Sequence, residues 1–265
     1  MRKRLPPGIR DWLGLRSRRL ALALDYDGTL VPITQRPQEA HPDRELLNLL
    51  HELAQEAVVV ILTGRDRRAI ESWLPDPIIT IVATHGAEWR QDGLWKPLLV
   101  IRETHAPLKV LTKKLEESFG DTSGVIIESK GISVAFHYRL VNPYRRSDLL
   151  SRFEEIVSQW LQDNEGFELL KGKCVREIRP QGVDKGRALQ RVRERLGASD
   201  VPLLAMGDDR TDQDMFRCLS DGDLSILIGP RDGSAAVHLK DVWEAREVLK
   251  GILRIRQKSG VGSQK

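Results

Sequence analysis

Five short apolar runs limit what this chain can fold into more than any other feature. They cover residues 20–24, 57–62, 78–83, 201–206 and 224–228, and each has the length of a strand rather than of a buried helix. The run at 57–62 (AVVVIL) is β-branched and apolar on both faces, as a strand inside a parallel sheet must be. Helical patterns lie between the runs. Leu46, Leu49, Leu50 and Leu53 share one helix face, Ala188, Leu189, Val192 and Leu196 another, and a short helix is expected around residues 215–219. This alternation predicts the α/β class: an open, doubly wound, mostly parallel sheet with helices on both faces.

The middle of the chain has a different rhythm. Between about 100 and 182, helical segments at 107–119 and 147–161 are each followed by paired strands, 125–128 with 132–139 and 167–170 with 175–178. Ile132, Val134, Phe136 and Tyr138 alternate with Ser133, Ala135, His137 and Arg139, which predicts one apolar and one more polar strand face. Helix followed by hairpin, twice over, reads as a small α+β layer inserted as a lid. The expected organisation is a discontinuous core domain of residues 1–100 plus 183–265 and a cap domain of residues 101–182. Trp89 and Trp95 flank a Gln91-Asp92-Gly93 hairpin turn and are expected to pack.

Composition removes several function classes. The chain has 265 residues, 40% hydrophobic and 30% charged, which describes a globular protein and not a disordered or fibrous one. No apolar run approaches the roughly 18 to 20 residues that span a bilayer, so no membrane is expected. Cys174 and Cys218 are too few for a disulfide framework, which points to a cytoplasmic location. The net charge of +4 and pI near 9.1 suggest a polyanion partner until the charges are located. Residues 1–20 carry +6 and residues 250–265 carry +5, which leaves 21–249 at −7. The positive charge therefore belongs to the two ends, expected to be poorly packed, and no nucleic-acid partner is expected.

Four motifs carry chemistry. Asp25-Tyr26-Asp27-Gly28-Thr29 follows the first predicted strand directly. An Asp-x-Asp pair is weak by itself, since Asp212/Asp214 and Asp221/Asp223 repeat it, but only this one ends a buried strand, where α/β sheets bind ligands. Two carboxylates there suit a nucleophile and a proton-transfer partner. Thr63-Gly64-Arg65 ends the second strand and reads either as a helix cap or as a hydroxyl-and-amide phosphate seat. Lys185 opens a helix whose dipole it opposes, a cost that a bound phosphate would offset. Asp208, Asp209 and Asp212 crowd the end of the fourth strand. They read as a helix-capping cluster or as an oxygen-only site for Mg²⁺. The convergence of nucleophile, acid/base, hydroxyl, cation and metal ligands favours an enzyme of phosphoryl transfer.

On these motifs the chain resembles the haloacid dehalogenase superfamily of phosphatases, with a Rossmann-like core and a C2-type cap. Within it the chain is similar to the trehalose-6-phosphate phosphatase family in the stretches DYDGTLVPI, ILTGR, THGAEWR, ESKGISVAFHYR, EIRPQGVDKG and GDDRTDQDMF. Thr84 stands where many relatives have Asn. The resemblance implies that Asp25 attacks phosphorus and that Asp27 serves as general acid and then base. It implies that Asp25, the Asp27 carbonyl and Asp208 bind Mg²⁺, with Asp209 and Asp212 as supporting or indirect ligands. Thr63 and Lys185 would hold the phosphoryl oxygens, with Gly64 and Arg65 completing that seat. For the sugar it points to Glu128, Lys130, Arg139 and Glu177, with His137 and Arg179 as additions and His85 and Glu88 at the rim. Without the resemblance, Glu128 and Lys130 read as a charged hairpin end, and His137 and Arg139 as a solvated strand face.

The expected reaction is Mg²⁺-dependent hydrolysis of trehalose 6-phosphate through an aspartyl-phosphate. A separate trehalose-phosphate synthase would make the substrate, since 265 residues leave no room for a fused one. The alternatives are a phosphatase of sucrose phosphate or mannosyl-3-phosphoglycerate, a phosphosugar mutase, or a non-catalytic binder of phosphosugar or nucleic acid.

Overall fold

The computed structural model describes residues 5–14, 19–99, 105–209, 211–230 and 234–260. In chain order the first elements are α1 (Pro7–Gly14), β1 (Ala21–Asp25), α2 (Arg44–Glu56), β2 (Val58–Leu62), α3 (Arg67–Trp73), β3 (Thr80–Ala83), β4 (Glu88–Gln91) and β5 (Leu94–Pro97). Next come α4 (His105–Phe119), β6 (Ile126–Ser129), β7 (Val134–His137), α5 (Arg146–Gln162), β8 (Phe167–Gly172) and β9 (Val175–Pro180). The chain closes with α6 (Lys185–Arg195), β10 (Leu203–Gly207), α7 (Asp212–Arg217), β11 (Leu224–Ile228), β12 (Val237–Leu239) and α8 (Val242–Gly260). These elements divide into two compact units, Met1–Leu99 with Asp184–Lys265, and Val100–Val183.

In the first unit the described strands form one sheet in the order β12-β11-β10-β1-β2-β3-β4-β5. Pairing is parallel from β12 to β3, and the β4–β5 hairpin adds two antiparallel strands. The strand alternation explains the two helical layers. Leu22 and Leu24 of β1 join Ile61, Ile81, Leu204, Met206 and Ile226 in a core with Leu46, Leu50 and Leu53 of α2 and Leu249 and Ile252 of α8. The intervening Ala21 and Ala23 join Val60, Leu62, Leu203 and Ala205 in a second core with Ala188, Leu189 and Val192 of α6. Both faces of β1 are therefore covered, and all five of its residues are buried. The strand order reverses at β1, with β2 on one side and β10 on the other, so the crevice beyond their carboxyl ends is where an α/β sheet takes its ligand.

The expectation of two poorly packed basic ends is corrected for α1 and for the described part of α8. In α1, Ile9 and Trp12 are buried, and the Trp12 indole N–H donates to the Gly222 carbonyl at 2.6 Å. In α8, Ala245, Leu249 and Ile252 are fully buried. Of the basic residues that these ends place in the two helices, Arg10 and Lys258 are exposed and Lys250, Arg254 and Arg256 half-buried, on helices whose apolar faces pack into the core, a pattern that net charge alone conceals. Residues 1–4, 15–18 and 261–265, which carry part of that charge, lie outside the described residues. Trp89 and Trp95 both pack against apolar cores, and Asp92 and Gly93 turn the hairpin with φ of 51° and 78°.

The second unit is a four-stranded antiparallel sheet, β6-β7-β9-β8. Val134, Phe136 and Ile178 on one face join Leu111, Leu115 and Phe119 of α4 and Phe153 and Val157 of α5. Phe119, Phe136 and Phe153 form an aromatic cluster there, with ring centroids 4.5 to 6.5 Å apart. Among the described residues, no helix of either unit is long and apolar enough to cross a membrane.

Candidate active site

Asp25 is the last residue of β1, and its register places it opposite Leu62 at the end of β2. Its carboxylate is buried, yet only one oxygen is engaged: Lys185 Nζ donates to Oδ1 at 2.5 Å, while Oδ2 has no partner. Burial pushes the Asp25 carboxyl well above the ordinary carboxylate range, Asp212 adds to the push, and Lys185 opposes it. Lys185 is equally buried and also donates to Asp212 Oδ1 at 2.7 Å. Burial by itself would lower the lysine, but the Asp212 and Asp25 carboxylates outweigh it and hold the ammonium above its usual value. The compensation expected from a phosphate for a lysine in the first helical turn is thus already supplied by two acids. The turn itself is capped by Asp184, whose side chain accepts from the Arg187 amide at 2.8 Å.

Asp212 organises the fourth motif. Its second oxygen accepts the amides of Asp208 and Asp209 at 2.9 and 3.0 Å, which folds the loop back over β10. Asp212 is itself the first residue of α7, and Thr211, at the N-cap position, makes no side-chain cap bond. One carboxylate oxygen from each of Asp25, Asp208 and Asp212 lies within 4.8 Å of the others. Glycines allow this crowding. At Gly28 (φ 85°) a Cβ would stand 2.3 Å from Asp208 Oδ2, and at Gly207 it would stand 2.2 Å from Asp212 Cβ. The oxygen-only donor set and the partnerless buried Asp25 Oδ2 fit a hard divalent cation. The carboxylates of Asp27 and Asp209 are not among the three of this triad; Asp27 pairs with Arg65, and the Asp209 amide donates to Asp212.

Thr63 follows β2 and is buried, with Oγ1 accepting the Arg65 amide at 3.1 Å. It does not cap α3, because Asp66 does, accepting from the Ala69 amide. Arg65 stands beside Thr63, and its guanidinium grips both oxygens of Asp27, at 2.7 and 2.6 Å. The loop after β3 closes against this segment, with the Thr84 amide on the Arg65 carbonyl and the His85 amide on the Thr63 carbonyl. Thr84 and His85 both sit at positive φ, 47° and 56°, where a side chain is strained by about 1–3 kcal/mol each. His85 is buried against Gly64, where a Cβ would meet its ring at 2.5 Å, so Gly64 is required for close approach. Glu88, the first residue of β4, is half-buried beside this loop.

In the second unit Glu128, Ala135 and Glu177 are directly opposite one another across β6, β7 and β9, and so share the sheet face away from α4 and α5. Ser133 Oγ donates to Glu177 Oε1 at 2.6 Å, and Lys130 Nζ reaches the same carboxylate at 3.3 Å. Glu128 Oε2 is 2.8 Å from His137 Nε2. Burial would raise the Glu128 carboxyl, but the His137 hydrogen bond and the Lys130 charge hold it below its ordinary range. Within the cluster Ser133, Ala135 and Glu177 are buried, whereas Glu128, Lys130, His137 and Arg139 are half-buried. Arg179 donates to Glu168 at 2.7 Å, and Arg139 donates to the Lys173 carbonyl at 2.8 Å. The expected site residues thus fall into two groups, Asp25, Asp27, Thr63, Gly64, Arg65, His85, Glu88, Lys185, Asp208, Asp209 and Asp212 in one unit, and Glu128, Lys130, His137, Arg139, Glu177 and Arg179 in the other.

Residues 23–243 match the family model described as trehalose-phosphatase. The chain is 33% identical over 232 residues to a trehalose-6-phosphate phosphatase-related protein of Thermoplasma acidophilum, covering 86% of this chain and 95% of that protein. It is 30% identical over 203 residues to the alpha,alpha-trehalose-phosphate synthase B of Dictyostelium discoideum, covering 74% of this chain. It spans only about a quarter of that longer relative. Among solved structures, the C-terminal domain of the C. albicans trehalose-6-phosphate phosphatase superposes with a TM-score of 0.79 at 26% identity, over 93% of this chain and 95% of that one. A haloacid dehalogenase-like hydrolase of B. subtilis shares the fold, with a TM-score of 0.59 at 15% identity over 89% of this chain and 98% of that one.

Proposed function

The chain belongs to the trehalose-phosphatase family, and from that premise we propose that it hydrolyses trehalose 6-phosphate to trehalose and inorganic phosphate. The observation that carries the reading is Asp25: a buried carboxylate at the reversal point of the sheet, with one oxygen fixed by Lys185 and the other unpartnered.

Asp25 attacks phosphorus, and the bond from phosphorus to the sugar oxygen breaks as Asp27, in its protonated form, gives that oxygen its proton. Water then attacks the aspartyl-phosphate, Asp27 takes the water's proton, and Asp25 is released with inorganic phosphate. Lys185 and the Thr63 hydroxyl face the phosphoryl oxygens and oppose their charge, where preorganised donors contribute most. Asp25, Asp208 and Asp212 would hold Mg²⁺, with the Asp27 carbonyl and Asp209 in support; when bound, the ion neutralises phosphoryl charge. We assign recognition of the sugar hydroxyls to Glu128, Lys130 and Glu177, whose charged groups make directional bonds to hydroxyls. Ser133 and His137 hold those carboxylates in place. The half-buried free cysteines Cys174 and Cys218 suit a reducing, cytoplasmic setting.

The test is phosphate release with Mg²⁺ from trehalose 6-phosphate, sucrose phosphate, mannosyl-3-phosphoglycerate and glucose 6-phosphate. Preference for trehalose 6-phosphate, abolished by Asp25→Asn, is expected. Equal rates on trehalose 6-phosphate and glucose 6-phosphate would sink the sugar assignment, and turnover surviving in Asp25→Asn would sink the nucleophile.

A further inference from the structure

We infer that Arg65 is the positioning residue for Asp27: a guanidinium fixed on three sides that aims the acid/base carboxylate, rather than a ligand of the substrate's phosphate. The inference rests on the reading of Asp27 as acid and base. Its own support is the way Arg65 is held. Nε and Nη2 take the two Asp27 oxygens at 2.7 and 2.6 Å, and Nη1 donates to the Pro37 carbonyl at 2.6 Å. The guanidinium carbon stands 4.4 Å from the centre of the Trp73 ring and 5.9 Å from that of Tyr26. Those two rings stack on each other at 5.8 Å, and the Tyr26 hydroxyl is itself anchored on the Ala40 carbonyl.

A planar fork clamped between a carbonyl and an aromatic face has given up most of the rotamer freedom of an arginine. The carboxylate it grips inherits that fixed position. Arg65 also ties the position of Asp27 to the phosphate seat, because its own amide donates to Thr63 Oγ1. Its side chain is 13% exposed and that of Asp27 is 33% exposed, so the arginine is the inner, fixed member of the pair and Asp27 the outer one.

A residue that aims the general acid matters only where the leaving group needs a proton. The sugar oxygen of trehalose 6-phosphate needs one, whereas the nitrophenolate of para-nitrophenyl phosphate departs without. The experiment measures kcat and KM on both esters for the unmodified protein, Asp27→Asn, Arg65→Met and Arg65→Lys. Arg65→Met is expected to lose at least about tenfold more kcat on the sugar ester than on the aryl ester, within the usual span of general-acid catalysis. Its KM should change little. Arg65→Lys keeps the charge but not the fork and should show the same split.

Equal loss on both esters with a raised KM would overturn the inference and make Arg65 a phosphate ligand. Full recovery in Arg65→Lys, or faster turnover in Arg65→Met, would overturn it as well. Asp27→Asn separates the two readings: no split in that variant removes the acid assignment itself, while a split there and none in Arg65→Met removes only the role of Arg65. If Arg65→Met does not fold, Trp73→Leu withdraws the aromatic support without touching Asp27. A smaller split in the same direction is then required, and its absence overturns the inference.

Discussion

Lys185 and Asp25, 160 residues apart in sequence, meet at 2.5 Å in the interior of the first unit, and Asp212 takes the same ammonium at 2.7 Å. One buried cation faces two buried carboxylates here, which leaves one negative charge uncompensated. This arrangement is tolerable only while the lysine is present, because each carboxylate without it is a charge stranded away from water.

Replacing Lys185 by Met should therefore cost stability as well as turnover. Breaking a buried pair from one side is worth about 3–5 kcal/mol. The urea midpoint of metal-free Lys185→Met should fall accordingly, and an unchanged midpoint would mean that the two acids do not depend on Lys185. Asp25→Asn should move the other way. Burial holds the Asp25 carboxyl above its ordinary range, so the ionised form is a burden at neutral pH, and a neutral amide of the same shape relieves it.

The same triad predicts a response to divalent cation. Mg²⁺ at about 100 times its dissociation constant should stabilise the folded chain by about 2.7 kcal/mol, read as a rise in Tm over protein in chelator. Asp208→Asn, which removes one corner of the triad, should abolish most of that rise. A rise of full size in Asp208→Asn would place the ion elsewhere.

Glycine substitutions separate geometry from stability. Gly28→Ala puts a methyl carbon 2.3 Å from Asp208 Oδ2 at a φ of 85°, and Gly207→Ala drives one into Asp212. Both should lose on the order of 10²-fold in turnover, since displacement by about 1 Å is enough for that. Gly197→Ala is the control. Its φ of 57° carries the same kind of backbone strain, but nothing lies within 4 Å of the added carbon. It should cost roughly 1 kcal/mol or more in denaturant unfolding and leave turnover unchanged. Equal activity losses in all three would attribute the effect to stability alone.

The motifs of the candidate site were legible because each is contiguous and three of the four follow an apolar run, so strand and chemistry are read together. Asp25 and Thr63 at the ends of β1 and β2 needed no long-range information. What escaped is carried by contacts between distant segments. Arg65 reads as one more phosphate-seat residue, and nothing local announces its pairing with Asp27, 38 residues away. Arg246 gave no signal in an amphipathic helix, yet it is buried and its guanidinium holds the Leu30 carbonyl beside the first motif and the Asp43 carboxylate. The basic ends were misjudged because charge counts say nothing of the opposite helix face, where Ile9, Trp12 and Ile252 are buried. Strand β12 has three residues and leaves no periodicity to detect.

The pairing of Glu128 with His137 makes the second unit sensitive to acid. Glu128 is held below its ordinary value, burial opposing and the His137 bond and Lys130 charge prevailing, so the unfolded chain binds that proton first as pH falls. Its contribution to stability is complete above the ordinary carboxylate value of about 4.3 and is lost as pH drops through the lower folded value. Glu128→Gln cannot titrate, and so lacks this contribution at every pH. Thermal unfolding followed from pH 7 downward should show the unmodified protein more stable than Glu128→Gln at neutrality. The two curves should converge in acid. A gap that stays constant to pH 3 would assign the effect of the substitution to packing and not to the charge of Glu128.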